Sequence, residues 1–409
     1  MSSNNAHSRP REIAHFEDSF AAIATGADAL AYRDHRYHIL MGASLQLPVS
    51  ATFATWAEAV VALEGLDPTA LPIDDLTRRY VADIHHALLT FARVRAGEPI
   101  DYLNQVSAYL GFDDIEIPDH EITSLQESIV EMLQALGFPG DLNRGLHEWE
   151  QARKVEPADI VGVCMPLVAA SLEAAQLRGI PVPDHVNVDV TVTSTPYYAY
   201  AHYFGNYRGN VELTSDLLWT VEGLKHSICH EAFPGHQASA SAREWAIDQG
   251  TWAAIRLPGL ANSPTSPISE GLAENGASIL GWIETENDRL FSLQNRLQFA
   301  VRTNAAIMRH QRGASRDTAI QYMVREAGVP EVWAIYHEGF ITDPLWHTSF
   351  PHYWHGTNLI RQALTQFQGR EQDLFAQLYG HPHTTGTVRD ILHADALARD
   401  AAPAPAGAP

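Results

Sequence analysis

The sequence predicts a mainly α-helical fold: one large multi-helix body with a small β element placed just before one particular helix. Three observations predict it. Apolar residues recur three and four apart through most of residues 11–185, and again through 216–398. Breaks rich in Gly, Pro and Asp punctuate these runs. One short stretch, residues 186–214, changes instead to alternating β-branched and polar residues, the period of a strand.

In chain order, residues 12–30, 51–66, 74–97 and 121–138 each carry a helical stripe. Turns such as Gly65-Leu66-Asp67-Pro68 and Gly137-Phe138-Pro139-Gly140 separate them. Residues 161–179 (VGVCMPLVAASLEAAQLRG) predict a further helix, kinked at Pro166, which has no N–H for the helical ladder. Gly179 and the Pro181-Val182-Pro183 turn end it. Residues 186–193 (VNVDVTVT) and 210–214 predict two strands joined by a Tyr-, Gly- and Asn-rich connection. Helix resumes at 216, with Asp216 suited to the N-cap and Leu217, Val221, Leu224 and Ile228 as an inward stripe. His226 and His230, four apart, share a neighbouring face. A long helix with a break near Gly281 is expected over 268–312, and shorter ones to about 398. Residues 1–10 and the tail 399–409, ending AAPAPAGAP, are expected to be disordered. No repeat and no clear linker divides residues 11–398, which are expected to form one body.

Composition narrows the function. A chain of 409 residues can bury a large core. Its formal net charge of −22 argues against nucleic acid or an anionic membrane surface as partner. The two cysteines, Cys164 and Cys229, imply no disulfide framework and suit a reducing cytoplasm. Cys229 directly precedes His230, but its expected role is that of a small apolar residue facing the core. No secretion signal is expected at the N-terminus, and no run of about 20 apolar residues is expected to span a bilayer.

Chemistry concentrates in residues 230–236, HEAFPGH. Neutral imidazole is a common zinc ligand, and a carboxylate beside it can take a proton from metal-activated water. The familiar arrangement is H-E-x-x-H on one helix face. Here the histidines are six apart, so an undistorted helix would rotate the second about 120° away from the first. Pro234 cannot donate to the carbonyl of His230, and Gly235 tolerates unusual backbone angles. A widened or broken turn at this point would bring His236 beside His230. A catalytic zinc site usually has three protein ligands and one open position. Residues 268–275 (ISEGLAEN) offer Glu270 and Glu274, four apart on one face, so that one can ligate and the other can hold a histidine. A solvated acidic face is the plainer reading of the same spacing.

These segments resemble the bacterial family known as domain of unknown function 885, a largely helical, zinc-peptidase-like group. Its signature is H-E-x-x-P-G-H-H-x-Q, followed by E-G-W-A and, near the C-terminus, by Y-K-x-G. HEAFPGH at 230–236, Glu270-Gly271-Leu272-Ala273, and Tyr353-Trp354-His355-Gly356 follow that order. The stretch before the motif is similar in character to the family's strand pair. The resemblance covers the C-terminal half well and the N-terminal half only as helical pattern. It implies a zincin-like, thimet-oligopeptidase-like fold, with His230, His236 and Glu270 as zinc ligands. It further implies Glu231 as general base and Tyr353 as hydrogen-bond donor to the developing oxyanion. Iron or manganese suits the same donors.

The chain departs from the signature at Gln237, Ser239, Leu272 and Trp354. Substrate contacts are therefore expected to differ, and a short peptide or small amide-like metabolite is the expected substrate. Further candidates for supporting or substrate-binding roles are Glu274, His226, His352, His355, Tyr207 and Arg208. His226 with His230 forms a rival undistorted ligand pair. His347 joins the C-terminal histidine cluster, and Tyr197, Tyr198 and Tyr203 join Tyr207 as candidate cleft residues. The leading expectation is a zinc-dependent hydrolase of an amide or peptide-like bond. The rivals are a lyase, isomerase or redox enzyme built on the same site, and a metal-free binding protein. A di-iron bundle needs two E-x-x-H elements; only Glu12-Ile13-Ala14-His15 fits, so that class is set aside.

Overall fold

The computed structural model describes residues 10–195, 198–251 and 255–401. Helix accounts for 65% of it and strand for 7%, so the fold is mainly α, a large multi-helix body with small sheets. The first half contains α1 (Arg11–His35), α2 (Trp56–Glu64), α3 (Asp75–Arg95), α4 (Tyr102–Leu110), α5 (Asp119–Ala135), α6 (Leu142–Arg153) and α7 (Ile160–Leu177). A two-residue strand, β1 (Lys154–Val155), lies between α6 and α7. The second half opens with β2 (Asn187–Thr193), β3 (Ala199–Gly205), β4 (Arg208–Thr214) and β5 (Trp219–Thr220). Helices α8 (Val221–Glu231), α9 (His236–Asp248), α10 (Ser266–Glu274), α11 (Gly276–Leu280) and α12 (Glu286–His310) follow. The chain ends with α13 (Arg316–Ala327), α14 (Glu331–Ile341), α15 (Pro351–Gln366), α16 (Glu371–Gly380) and α17 (Thr385–Ala401).

Two buried apolar clusters organise these elements. One draws on α1–α6 and α12–α14. The other draws on α7, the sheet, α8–α11 and α15–α17. Helix α15 bridges them, giving Trp354 to the first and Leu359, Ile360 and Ala363 to the second.

The sheet has the order β2-β4-β3, with β2 parallel and β3 antiparallel to β4. Val190 and Ala201 both pair with Val211 in the central strand. The tyrosine-rich segment expected as a connection is therefore itself a strand over its second part. Tyr200, His202 and Phe204 alternate to one side of it, their rings forming an outward aromatic row.

The helix expected from 216 starts later. Trp219 and Thr220 pair with Val155 and Lys154, which keeps the chain extended to Thr220. Thr220 is the N-cap, its Oγ1 accepting from Gly223 N at 3.0 Å, while Asp216 accepts from Ser194 Oγ at 2.6 Å. Of the expected stripe, Leu224 and Ile228 are fully buried, each contributing about 2 kcal/mol. Val221 is exposed and Leu217 is only half-buried.

The long helix expected over 268–312 is three helices. Asn275 separates α10 from α11, and Gly281, at φ 78°, closes α11 before the Thr285–Asp288 capping box opens α12. Helix α7 passes through Pro166 without interruption. Contrary to expectation, residues 157–177 are long and apolar enough by length and composition to cross a bilayer. In the fold, one face of α7 packs on α8 and β2, while Val161, Met165 and Leu177 are exposed. Both cysteines are buried in the second cluster, and burial pushes each thiol up to about 12. Residues 399–401, expected in the disordered tail, are instead the end of α17. Residues 1–9 and 402–409 lie outside the described residues, as does Tyr197.

Candidate metal centre

Helix α8 stops at Glu231, and a new helix, α9, begins at His236. The break lies between the two histidines, so the chain turns rather than kinks. Ala232 N still donates to Ile228 O at 2.9 Å, and Gly235 N then reaches back to Cys229 O at 3.1 Å. The Phe233–Pro234 peptide is cis. Gly235 is required by space: a Cβ there would lie 1.7 Å from His230 O. Tyr379 donates its hydroxyl to Pro234 O at 2.7 Å and anchors the turn from α16.

The turn sets His236 Nε2 3.1 Å from His230 Nε2. Glu270, on α10, completes the group, with Oε2 3.4 Å from His230 Nε2 and Oε1 3.5 Å from His236 Nε2. Four-coordinate zinc with bonds of about 2.0–2.1 Å places neighbouring ligand atoms about 3.3 Å apart, so the donor set fits an ion of that kind. A second observation agrees. Glu270 Oε2 is buried without a hydrogen-bond donor, which calls for a cation beside it.

Glu274, one turn further along α10, reaches the other nitrogen of His230: its Oε1 lies 3.1 Å from Nδ1. Its Oε2 lies 3.2 Å from His226 Nε2 and accepts from Asn295 Nδ2 at 2.9 Å. His226, His230 and Glu274 therefore form a second trio able to hold an ion. The first trio is the better ligand set, because His230 then ligates through Nε2 while Glu274 holds Nδ1–H and fixes the tautomer. In the second trio His230 would lose that support. Ser269 Oγ lies 3.2 Å from His236 Nδ1 and can play the matching part for that ring.

The electrostatics call for positive charge. Burial alone depresses the His230 imidazolium, but Glu274, Glu231 and Glu270 outweigh it and hold it well above the ordinary range. Burial alone raises the Glu270 carboxyl, yet His236 and His230 bring it down to about 2. Glu274 is likewise held low by His226 and His230 against the cost of burial. Glu231 differs: burial raises it, and the two histidines only partly offset this. Its Oε1 is 3.8 Å from His230 Nε2, too far for a hydrogen bond, so the carboxylate stands next to the donor set without joining it.

Tyr353, on α15, is brought in by a close helix contact. A Cβ on Gly271 would meet Gly356 O at 2.4 Å, and one on Gly356 would meet Pro267 O at 2.2 Å. The glycines of the two motif segments thus let α10 and α15 touch backbone to backbone. Tyr353 sits one turn before Gly356, its ring stacked on Phe299 with centroids 5.3 Å apart. Burial and the nearby Glu270 keep its phenol well above the ordinary range, hence protonated and able to donate.

A cavity of about 330 Å³ opens on His230, Glu231, Glu274 and Tyr353; His236 and Glu270 are not among its lining residues. Its remaining walls include Tyr198, Asn295, Phe299, Arg302, Trp333 and His337. Arg302, Asn295 and His337 were not expected from sequence. Their positions on α12 and α14 lie far along the chain from the motif, and no spacing rule reaches them.

Several candidates are placed elsewhere. His355 Nε2 meets Ile115 O at 2.9 Å and its ring packs on Phe112, lining a different pocket. This follows from helix geometry, since two residues separate Tyr353 from His355 by about 200°. Tyr207 donates to Asp248 at 2.5 Å and packs on His185. Arg208 is exposed at the start of β4, and Tyr203 donates to Glu244. Neither Tyr207 nor Arg208 lines the cavity, because the β3–β4 turn carries them to α9. His347 packs with Tyr102 and His310. Only His352 of the C-terminal cluster lies by the centre. It is buried among Glu270, Arg302 and Glu274, both ring nitrogens lack hydrogen-bond partners, and burial pushes it down to about 4.

Fold and site together define a mainly helical protein with a half-buried cluster in which two histidines and a glutamate can hold a metal ion. No protein-family model matches the chain, and no curated protein matches it. Two solved structures share the fold. One, described as a putative lipoprotein from Colwellia psychrerythraea, is 18% identical with a TM-score of 0.56 over 83% of this chain. The other, described as a putative lipoprotein of unknown function from Shewanella oneidensis, is 14% identical with a TM-score of 0.51 over 83% of this chain. The chain spans 66% of the length of the first and 72% of the second.

Proposed function

We propose that the protein is a zinc-dependent hydrolase of amide or peptide-like bonds, a member of the domain of unknown function 885 family. The observation that carries the reading is the convergence of His230, His236 and Glu270 within ligand spacing, with Glu231 adjacent but outside the set. When bound, a divalent ion supplies a Lewis acid and brings water toward a pKa of about 7. His230, His236 and Glu270 hold the ion, and Glu274 orients His230 through Nδ1. Glu231, beside the donor set without belonging to it and raised by burial, is placed to accept a proton and pass it to a leaving amine. Tyr353 keeps its proton and donates a hydrogen bond to the oxygen on which charge develops. The apolar walls of Phe299, Trp333 and Tyr198 limit water and suit a small substrate.

Cysteine usage supports a cytoplasmic location, whereas the names of the two structural neighbours point to lipoproteins. Location is therefore best tested directly, by fractionation of the native host. The function is tested by metal analysis of the purified protein followed by turnover of a panel of short peptides in ¹⁸O-labelled water. Hydrolysis places one solvent oxygen in the acid product. Product without label assigns the site to lyase, isomerase or redox chemistry instead. No stoichiometric metal, even after zinc addition, removes the enzyme reading.

A further inference from the structure

The cavity that opens on the histidine motif also carries a buried cation. Arg302, on α12, is 8% exposed and lines the same cavity as His230 and Glu231. Among the described residues lining that cavity it is the one arginine or lysine. The described ion pairs include none for Arg302. Its hydrogen bond is to a neutral partner, Nη1 to His337 Nδ1 at 3.4 Å, and its Nε is buried without an acceptor. Burial and the guanidinium itself keep His337 well below the ordinary histidine range, so His337 accepts and adds no charge.

Aromatic rings surround the cation. Phe299 and Tyr353 lie 5.1 Å from the guanidinium carbon, Phe350 lies at 5.3 Å and Trp333 at 5.8 Å. These contacts steady the charge through the ring faces but use none of its five N–H donors. A buried guanidinium with unmet donors is costly unless an anion pairs with it. Glu270 and Glu274 influence Arg302 only at a distance, since they are committed to the histidines.

We propose that Arg302 is the anchor for a carboxylate on the substrate, so that the site takes small amides or peptides bearing a free carboxylate. The assignment rests on the hydrolase reading for what becomes of the substrate, but the binding step does not. A planar guanidinium fits a carboxylate in a two-pronged pair. A dianionic phosphate would bring a second negative charge, with one cation to meet it, into a cavity already lined by Glu150, Asp216, Glu231 and Glu274. One cation within an apolar ring of aromatics favours a monoanion. Arg302 and Glu231 line one cavity of about 330 Å³, so the charged end and the reacting bond belong to one small molecule.

The test is binding, measured calorimetrically with the whole chain as zinc-loaded Glu231→Gln protein and again after chelator treatment. The probes are N-acetylated dipeptides supplied as free acids, as C-terminal amides, and as phosphonate analogues. Free acids are expected to bind on the order of 30-fold more tightly than the amides, with or without zinc. Arg302→Gln should remove the preference while the zinc content is unchanged, and Arg302→Lys should restore only part of it. The acid–amide comparison needs no substitution at Arg302, so a poorly folding Arg302 variant leaves it intact. Equal binding of acid and amide overturns the proposal, as does a preference that vanishes with the metal or survives in Arg302→Gln. Tighter binding of the phosphonate to the chelator-treated protein, where no ion can ligate it, overturns the choice of carboxylate. A preference that depends on Arg302, where zinc-loaded protein with Glu231 intact hydrolyses none of the free acids, retains the anchor and removes the hydrolase.

Discussion

Glu274 Oε1 lies 3.1 Å from Nδ1 of His230, the nitrogen opposite the one that meets His236. One carboxylate thus decides which face of the imidazole is free to bind an ion. Replacing Glu274 with Gln keeps an oxygen of the same reach but removes the charge. Metal affinity should fall about 10- to 100-fold, read by competition against a chromophoric chelator. His236→Ala should abolish stoichiometric binding, and His226→Ala should leave it within a few-fold. The reverse outcome for the two histidines would assign the ion to the His226–His230–Glu274 trio.

Glu231→Gln should retain zinc and lose turnover. Because burial raises the Glu231 carboxyl, the base form is lost as pH falls through a value above the ordinary Glu pKa of about 4.3. The acid limb of kcat/KM should therefore lie above about pH 4.3. A limb at or below that value removes Glu231 as the titrating base.

The metal-free protein should show a stability window set by its ligands. Glu270, held down at about 2, contributes stability that is complete above its unfolded value near 4.3 and drains as pH falls toward 2. His230, held well above the ordinary range, contributes stability that is complete below about 6.5 and is lost as pH rises through its elevated value. Above that point the carboxylates face one another without a proton between them. Zinc supplies the missing charge, so Tm measured against pH should decline on the alkaline side in chelator and stay flat with zinc. Coincident alkaline limbs would contradict the charge account given for the cluster.

Tyr353→Phe should lower kcat by about 100-fold with zinc content unchanged, the cost of one well-placed oxyanion donor. An unchanged kcat leaves Tyr353 as a wall of the cavity, stacked on Phe299.

Gly356→Ala should be destabilising by about 1–3 kcal/mol, since its Cβ would meet Pro267 O at 2.2 Å. Thermal unfolding measures this directly. Gly339→Ala, where a Cβ meets nothing within 4 Å, is the control that should show no such loss.

The helical body was legible because its apolar stripes repeat at the period of a helix, and Glu270 and Glu274 because four residues return to one face. His236 was legible only through the combination of Pro234 and Gly235, since the spacing alone points it away from His230. The start of α8 was misread because β1, more than sixty residues earlier, holds Trp219 and Thr220 extended, a pairing that no local pattern reveals. The same limit explains Arg302. Within α12 it reads as one more polar residue in RLQFAVRTNAAIM, and only packing against α14 and α15 turns it inward. His355 erred in the opposite direction, for adjacency to Tyr353 in sequence sends its ring to another surface.

The glycine clasp between Gly271 and Gly356 makes α10 and α15 a gauge with no adjustable part. Main chain rests on main chain, so the offset between Glu270 and Tyr353 is independent of side-chain choice at the crossing. Reshaping the cavity can therefore proceed at wall residues away from this crossing, such as Asn295 and Phe299 on α12 and Trp333 on α14, while the α10–α15 offset stays as it is.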